Sequence, residues 1–165
     1  DSPGRFNNNA QGKLNMFVRS IAASAALLLL ATVARADLEP WKDYDISDQV
    51  WQLTTIQVHS NMGDAYLEGL KNTWVTGMET SKKLGQIEDY FIYRSELPES
   101  GDFNLMLVVR FANNEALAPN QERYEAFMKE FGEEQSEKTT EYAQENYPGM
   151  REITGEYRFR RIDLK

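Results

Sequence analysis

The sequence predicts an α+β domain: one antiparallel sheet of four strands, with two helices laid on one of its faces, in the order β-α-β-β-α-β. Three patterns carry that reading. Runs with helical apolar spacing alternate with strand-like runs rich in β-branched and aromatic residues. The two middle strand-like runs are separated by LPESGD, Leu97 to Asp102, whose Pro, Ser, Gly and Asp are turn formers. Residues 37–165 amount to 129 residues, close to the commonest size of a single domain, about 100 to 150 residues.

The segment before residue 37 is read apart from that domain. Residues 16–36, MFVRSIAASAALLLLATVARA, place Arg19 ahead of an apolar run from Ile21 to Val33, then Ala34 and Ala36 at the small-residue positions of a signal-peptide cleavage site. Cleavage is expected between Ala36 and Asp37, giving an exported protein, periplasmic or secreted. The run is shorter than the roughly 20 residues a spanning helix needs, so no stable membrane anchor is expected after cleavage. Residues 1–15, DSPGRFNNNAQGKLN, lack periodicity and read as flanking sequence. Residues 37–49 form an acidic arm, and residues 50–165 form the folded domain.

Within that domain Trp51–Val58, WQLTTIQV, is the first strand. Ser60 and Asn61 are possible N-caps of a helix over 62–84, in which Leu67, Leu70, Trp74, Met78 and Ser81 recur at three- and four-residue steps. Lys82 and Lys83 suit the negative helix end, and Gly85 tolerates the left-handed C′ conformation. Ile87–Glu96 and Phe103–Phe111 form a hairpin. Phe103, Leu105, Leu107, Val109 and Phe111 share one face of its second strand; Asn104, Met106, Val108 and Arg110 share the other. Tyr124, Phe127, Met128 and Phe131 define the buried stripe of a helix starting near Gln121. Gly132 interrupts it, and a charged continuation burying Tyr142, Ala143 and Tyr147 ends at Pro148-Gly149. Glu156–Leu164, EYRFRRIDL, is the last strand. This order is the ferredoxin-like arrangement. It leaves the sheet face opposite the helices, with Met106 and Val108, in need of cover, and a second sheet supplies it.

Charge narrows the partners. The whole chain carries a formal −8; removing residues 1–36 takes away one acid and four bases, leaving −11. Polyanions are repelled, which speaks against nucleic acid and anionic membrane surfaces. With no cysteine there is neither disulfide nor thiolate chemistry.

On the stretch AYLEGLKNTWVTGMETSKKLGQIEDYFIYRSELPESGDFNLMLVVRF, Ala65 to Phe111, a long amphipathic helix ends in Leu-Gly and feeds a hairpin, and here the chain resembles the dimeric α+β barrel superfamily. That superfamily includes antibiotic-biosynthesis-type monooxygenase domains, stress-responsive barrels and uncharacterised exported bacterial proteins. The resemblance spans Val50 to Leu164. It implies a ferredoxin-like fold, a homodimer and, for activity, pockets that run cofactor-free oxidations. Haem-degrading members use an Asn, a Trp and a helix-borne His; Asn72 and Trp74 are present but no His falls on an expected helix, so no haem is called for. No metal-ligand spacing is found, and no cofactor is expected.

His59, the single histidine, sits where the first strand meets the first helix and is the candidate general base, against the simpler reading of an exposed loop imidazole. Tyr90, Tyr93, Arg94 and Arg110 on the hairpin are the candidate ligand-binding residues, with Arg110 as anionic anchor. The alternative pairs these arginines with acids such as Glu88, Glu96 or Glu156. Which of Tyr90/Ile92 and Phe91/Tyr93 faces the helices is open. Trp74 and Met78 read as core, while Gly69 and Gly77 imply either close backbone approach or tolerated surface positions. Two functions follow: a homodimer that binds a small organic molecule between sheet and helices, with cofactor-free oxygenase-type chemistry as its catalytic form, or a non-catalytic interaction or stress-related module acting through its dimer surface.

Overall fold

The computed structural model describes residues 37–165; the expected signal segment and the residues before it lie outside the described residues. Strand β1 (Tyr44–Ile46) is followed by β2 (Val50–Val58), helices α1 (Gly63–Asn72) and α2 (Trp74–Lys83), and the hairpin β3 (Asp89–Arg94) and β4 (Leu105–Phe111). A short 3-10 turn (Glu115–Leu117), helices α3 (Gln121–Phe131) and α4 (Glu133–Met150), and strands β5 (Arg151–Phe159) and β6 (Ile162–Leu164) complete the order.

Four strands form an antiparallel sheet in the order β3-β4-β2-β5. With the helical runs α1/α2 and α3/α4 between strands, this is the ferredoxin-like topology expected from the sequence. Register assigns the two faces. Val50, Gln52, Thr54, Ile56 and Val58 share the helix side with Leu105, Leu107, Val109 and Phe111, and with Tyr90, Ile92 and Arg94. The open parity of the hairpin is thereby fixed: Tyr90 and Ile92 face the helices, whereas Phe91 and Tyr93 face away. On the helix side, Ile56, Val58, Leu105 and Leu107 meet Tyr66 and Leu70 of α1 and Tyr147 of α4 in one buried cluster. The contribution of α1 is the i, i+3, i+4 stripe Tyr66, Gly69, Leu70.

The single helix expected over 62–84 is broken at Thr73, whose backbone (φ −119°, ψ −81°) leaves helical space. Its N–H is shared between Gly69 O and Leu70 O, and its hydroxyl bonds both Gly69 O (2.9 Å) and the Tyr147 hydroxyl. That long-range phenol contact selects the bend. The start also differs from expectation: the N-cap position is Met62, with no side-chain cap, so Ser60 and Asn61 do not cap. The expected stop holds. Gly85 takes φ +68°, Gln86 N–H bonds Ser81 O and Gly85 N–H bonds Lys82 O, a Schellman pair.

In α3, Asn120 accepts from Arg123 N–H as N-cap (2.8 Å) and Phe127 stacks on Phe131, but Tyr124 is 63% exposed rather than buried. Helix α4 runs past Pro148 to Met150. A proline in the last turn removes one ladder bond without blocking the helix beyond it. The expected final strand is two strands. β5 begins at Arg151 and pairs with β2; after Arg160 and Arg161, β6 pairs with β1 of the acidic arm (Ile162 with Ile46, Leu164 with Tyr44). The arm is therefore a strand of a second, two-stranded sheet. Among the described residues no helix is long and apolar enough to cross a membrane.

Candidate functional site

The layer between sheet and helices is filled at one end and open at the other. At the filled end Tyr66 meets Tyr147 edge to face (5.1 Å between centroids), Tyr142 meets Tyr147 likewise (5.7 Å), and Arg151 lies over the Tyr147 ring (5.3 Å). Burial pushes the Tyr66 and Tyr147 phenols above their ordinary range. Gly69 is required there: an added Cβ would lie 2.8 Å from Tyr142 Cε1 and 3.1 Å from Tyr147 Cε1. Of the two readings open for Gly69, close approach is the one observed. Gly77 is the opposite case, with Phe127 Cζ at an ordinary 4.0 Å.

Toward the other end of the sheet the layer opens into a crevice of about 400 Å³, within the range of small-molecule sites, about 300 to 1,000 Å³. Leu107, Val109 and Phe111 of β4 form one wall, Trp74 and Met78 of α2 another, and the loop through Ala116 and Ala118 to Asn120 and Arg123 the rim. Gln52 and Thr54 of β2 and Gln86 after α2 add polar groups. The Gln86 amide nitrogen donates to Arg123 O (2.7 Å), leaving its oxygen as an acceptor. Gln52 and Thr54 occupy the helix-facing parity of a central strand, between Val50 and Ile56, and have no side-chain hydrogen-bond partner among the described residues. A packed core has no use for an amide there. That pattern is the sequence signal for this site, and it is carried by neutral polar residues, not by the charged and aromatic ones of the hairpin. Trp74 packs against the buried cluster as expected of a core residue and also lines the crevice, whereas Met78 is half-buried and lines the crevice without belonging to that cluster.

The four hairpin candidates do not share a cavity. Tyr90 faces the helices, edge to face with Trp74 (5.4 Å), and its hydroxyl donates to Glu79. The Glu79 bond, with burial second, pushes the Tyr90 phenol up to about 12. Arg94, at the far end of the same face, lies 3.4 Å from Asp64 Oδ1. Tyr93 and Arg110 are on the opposite face. The Arg110 guanidinium lies 5.6 Å from the centroid of Trp51, and its Nε is 3.0 Å from Glu88 Oε2 but out of line for a hydrogen bond, so the contact is an ion pair. This is the acid-paired arrangement weighed for it from the sequence. His59 is exposed; because a carbonyl can only accept, its Nδ1, 3.1 Å from Gly149 O, is the protonated nitrogen. His59 and Arg94 line a second, polar cleft of about 360 Å³ together with Asn61, Asp64, Glu99 and Asn104.

No protein-family model and no curated protein matches the sequence. Solved structures similar to the chain include protein SO0527 from Shewanella oneidensis, at TM-score 0.46 and 12% identity, covering 74% of this chain and 100% of that one. HapK from Hahella chejuensis aligns at TM-score 0.41 and 14% identity, covering 67% of this chain and 90% of that one. A dimeric ferredoxin-like protein from an uncultured marine organism aligns at TM-score 0.39 and 14% identity, covering 72% and 90%. The fold assignment rests on the chain's own strand order.

Proposed function

We propose that the protein is an exported homodimer that binds a small organic molecule in the crevice between the sheet and α2. The observation that carries the binding role is the pair Gln52 and Thr54, polar and without a side-chain hydrogen-bond partner among the described residues, half-buried on the helix-facing parity of the central strand and opening onto a crevice of mixed polar and apolar lining. Resemblance to cofactor-free oxygenases adds a catalytic form of this role, but the lining residues include no carboxylate and no imidazole. The nearby Tyr90 phenol, held protonated by Glu79, is no general base at neutral pH. Binding is therefore the better supported activity. Export rests on residues 16–36, and self-association on the aromatic sheet face opposite the helices.

Ligand-observed NMR against a mixed library of neutral and charged fragments tests the crevice, with Ala116→Trp, a rim substitution on a loop, as the filled control. Hits that bind the parent and disappear in the filled variant support the reading; an absence of hits, or hits indifferent to filling, overturns it. The second reading, an interaction module, is favoured by the half-exposed Tyr93, Tyr157 and Phe159, and predicts a partner bound through that face with the crevice inert.

A further inference from the structure

The crevice carries more information than its shape. Among its described lining residues Arg123 is the one charged side chain. Four hydrogen bonds hold it. Asn120 caps its N–H, Gln86 bonds its carbonyl, and its Nη2 donates to Ala118 O and, at 3.2 Å, to Glu115 O. Both acceptors are backbone carbonyls of the rim loop, so they orient the guanidinium without neutralising it. Of the five guanidinium N–H groups, those on Nη1 and Nε have no partner among the described residues, and Arg123 pairs with no carboxylate there. In a chain this rich in acids, an arginine oriented beside a crevice and left without a counter-ion among the described residues is suited to receive an anion.

We infer that the crevice selects a monocarboxylate with an apolar body, its carboxylate on Arg123 and its body between Trp74, Met78 and the Val109–Phe111 wall. The inference rests on the crevice being the ligand site and names the class of molecule it takes. One cation matches one carboxylate. A dianion such as a phosphate monoester would bring a second charge into a half-buried site whose described lining holds no second cation to meet it. Gln52, deeper on the sheet, offers both a donor and an acceptor to a neutral polar group on the ligand body.

The test is calorimetric titration with three carboxylates of increasing size, benzoate, 2-naphthoate and octanoate, each compared with its primary amide, which keeps shape and removes charge. Hydrogen bonds to a charged group predict that at least one acid binds about tenfold or more tightly than its amide. Arg123→Gln should erase that preference, so that acid and amide bind alike. Arg123→Lys, which keeps the charge but not the fork, should retain part of it. Ala116→Trp should abolish binding of acid and amide alike. If acids and amides bind equally to the parent chain and both vanish on filling, the crevice reading survives and the carboxylate inference falls. If no acid binds, or filling changes nothing, both fall. The acid–amide comparison on the parent chain decides the inference even if an Arg123 variant fails to fold.

Discussion

Gly69 and Gly77 sit on the two halves of the first helical run and look alike in sequence, yet their surroundings dictate opposite outcomes. Gly69→Ala drives a methyl group into the Tyr142 and Tyr147 rings and is expected to cost about 1 to 3 kcal/mol, the range for overpacking. Gly77→Ala meets only ordinary contact and should stabilise by about 0.5 to 1 kcal/mol through helix propensity. Urea unfolding of both variants at one fixed protein concentration checks the signs; equal effects would refute the packing account. Tyr90 gives a pH-dependent prediction. Its phenol is raised from 10.0 to about 12 in the fold, so the folded state holds this proton more tightly than the unfolded chain. The Tyr90–Glu79 contribution to stability is therefore complete below pH 10 and is lost as pH rises from 10 to 12. Difference absorbance titration of the parent against Tyr90→Phe should show a phenolate appearing near 12, and Glu79→Gln should bring it back toward 10.

At the scale of elements, what was legible in the sequence is what local chemistry decides. The Gly85 stop, the Gly132 break (φ +86°) and the alternation of Leu105, Leu107, Val109 and Phe111 each follow from one residue's steric freedom or a two-residue period. The bend at Thr73 was not legible, because the group that selects it, the Tyr147 hydroxyl, lies 74 residues away. Nor was the split of the last strand, since its outer part pairs with β1 rather than with β2. The candidate residues divide in the same way: Arg110 stood out by its place at the end of a strand, whereas the orientation of Arg123 depends on hydrogen bonds to rim-loop carbonyls that form only in the fold. Thr73→Val tests the bend. It removes the Tyr147 partner and leaves a buried phenol unsatisfied, which should cost about 1 to 3 kcal/mol. Tyr147→Phe, which removes the other partner, should cost less when combined with Thr73→Val than the two single losses added. A fully additive pair would mean that the hydroxyls do not hold the bend together.

Across the whole molecule, the unresolved demand is the sheet face turned away from the helices. Register lays it out in rows: Phe91, Val108, Leu53 and Tyr157 across the middle, with Trp51 and Phe159 on one side of that row and Tyr93 and Met106 on the other. Trp51 stacks on Phe91 at 6.0 Å and Tyr157 on Phe159 at 6.0 Å, and Val108 in the middle row is buried. The strand of the acidic arm pairs with β6 and adds no strand to the four-stranded sheet. Tyr93, Tyr157 and Phe159 remain 51%, 49% and 52% exposed. Apolar surface left in water forgoes roughly 25 cal/mol per Å², and a two-fold dimer buries the same patch on both copies. Light scattering should therefore find a dimer. Tyr157→Glu places a charge at the end of the middle row, on a residue already half exposed in the single chain, so it should spare folding and weaken the dimer by about thirtyfold or more, equivalent to about 2 kcal/mol. Tyr124→Glu, on an exposed tyrosine of α3 instead, should leave the dimer intact. Because residues 37–165 carry a formal −11, two copies repel at long range, and added salt should tighten the dimer rather than loosen it. A parent chain that stays monomeric at high micromolar concentration in high salt would overturn the assignment of this face to a second copy.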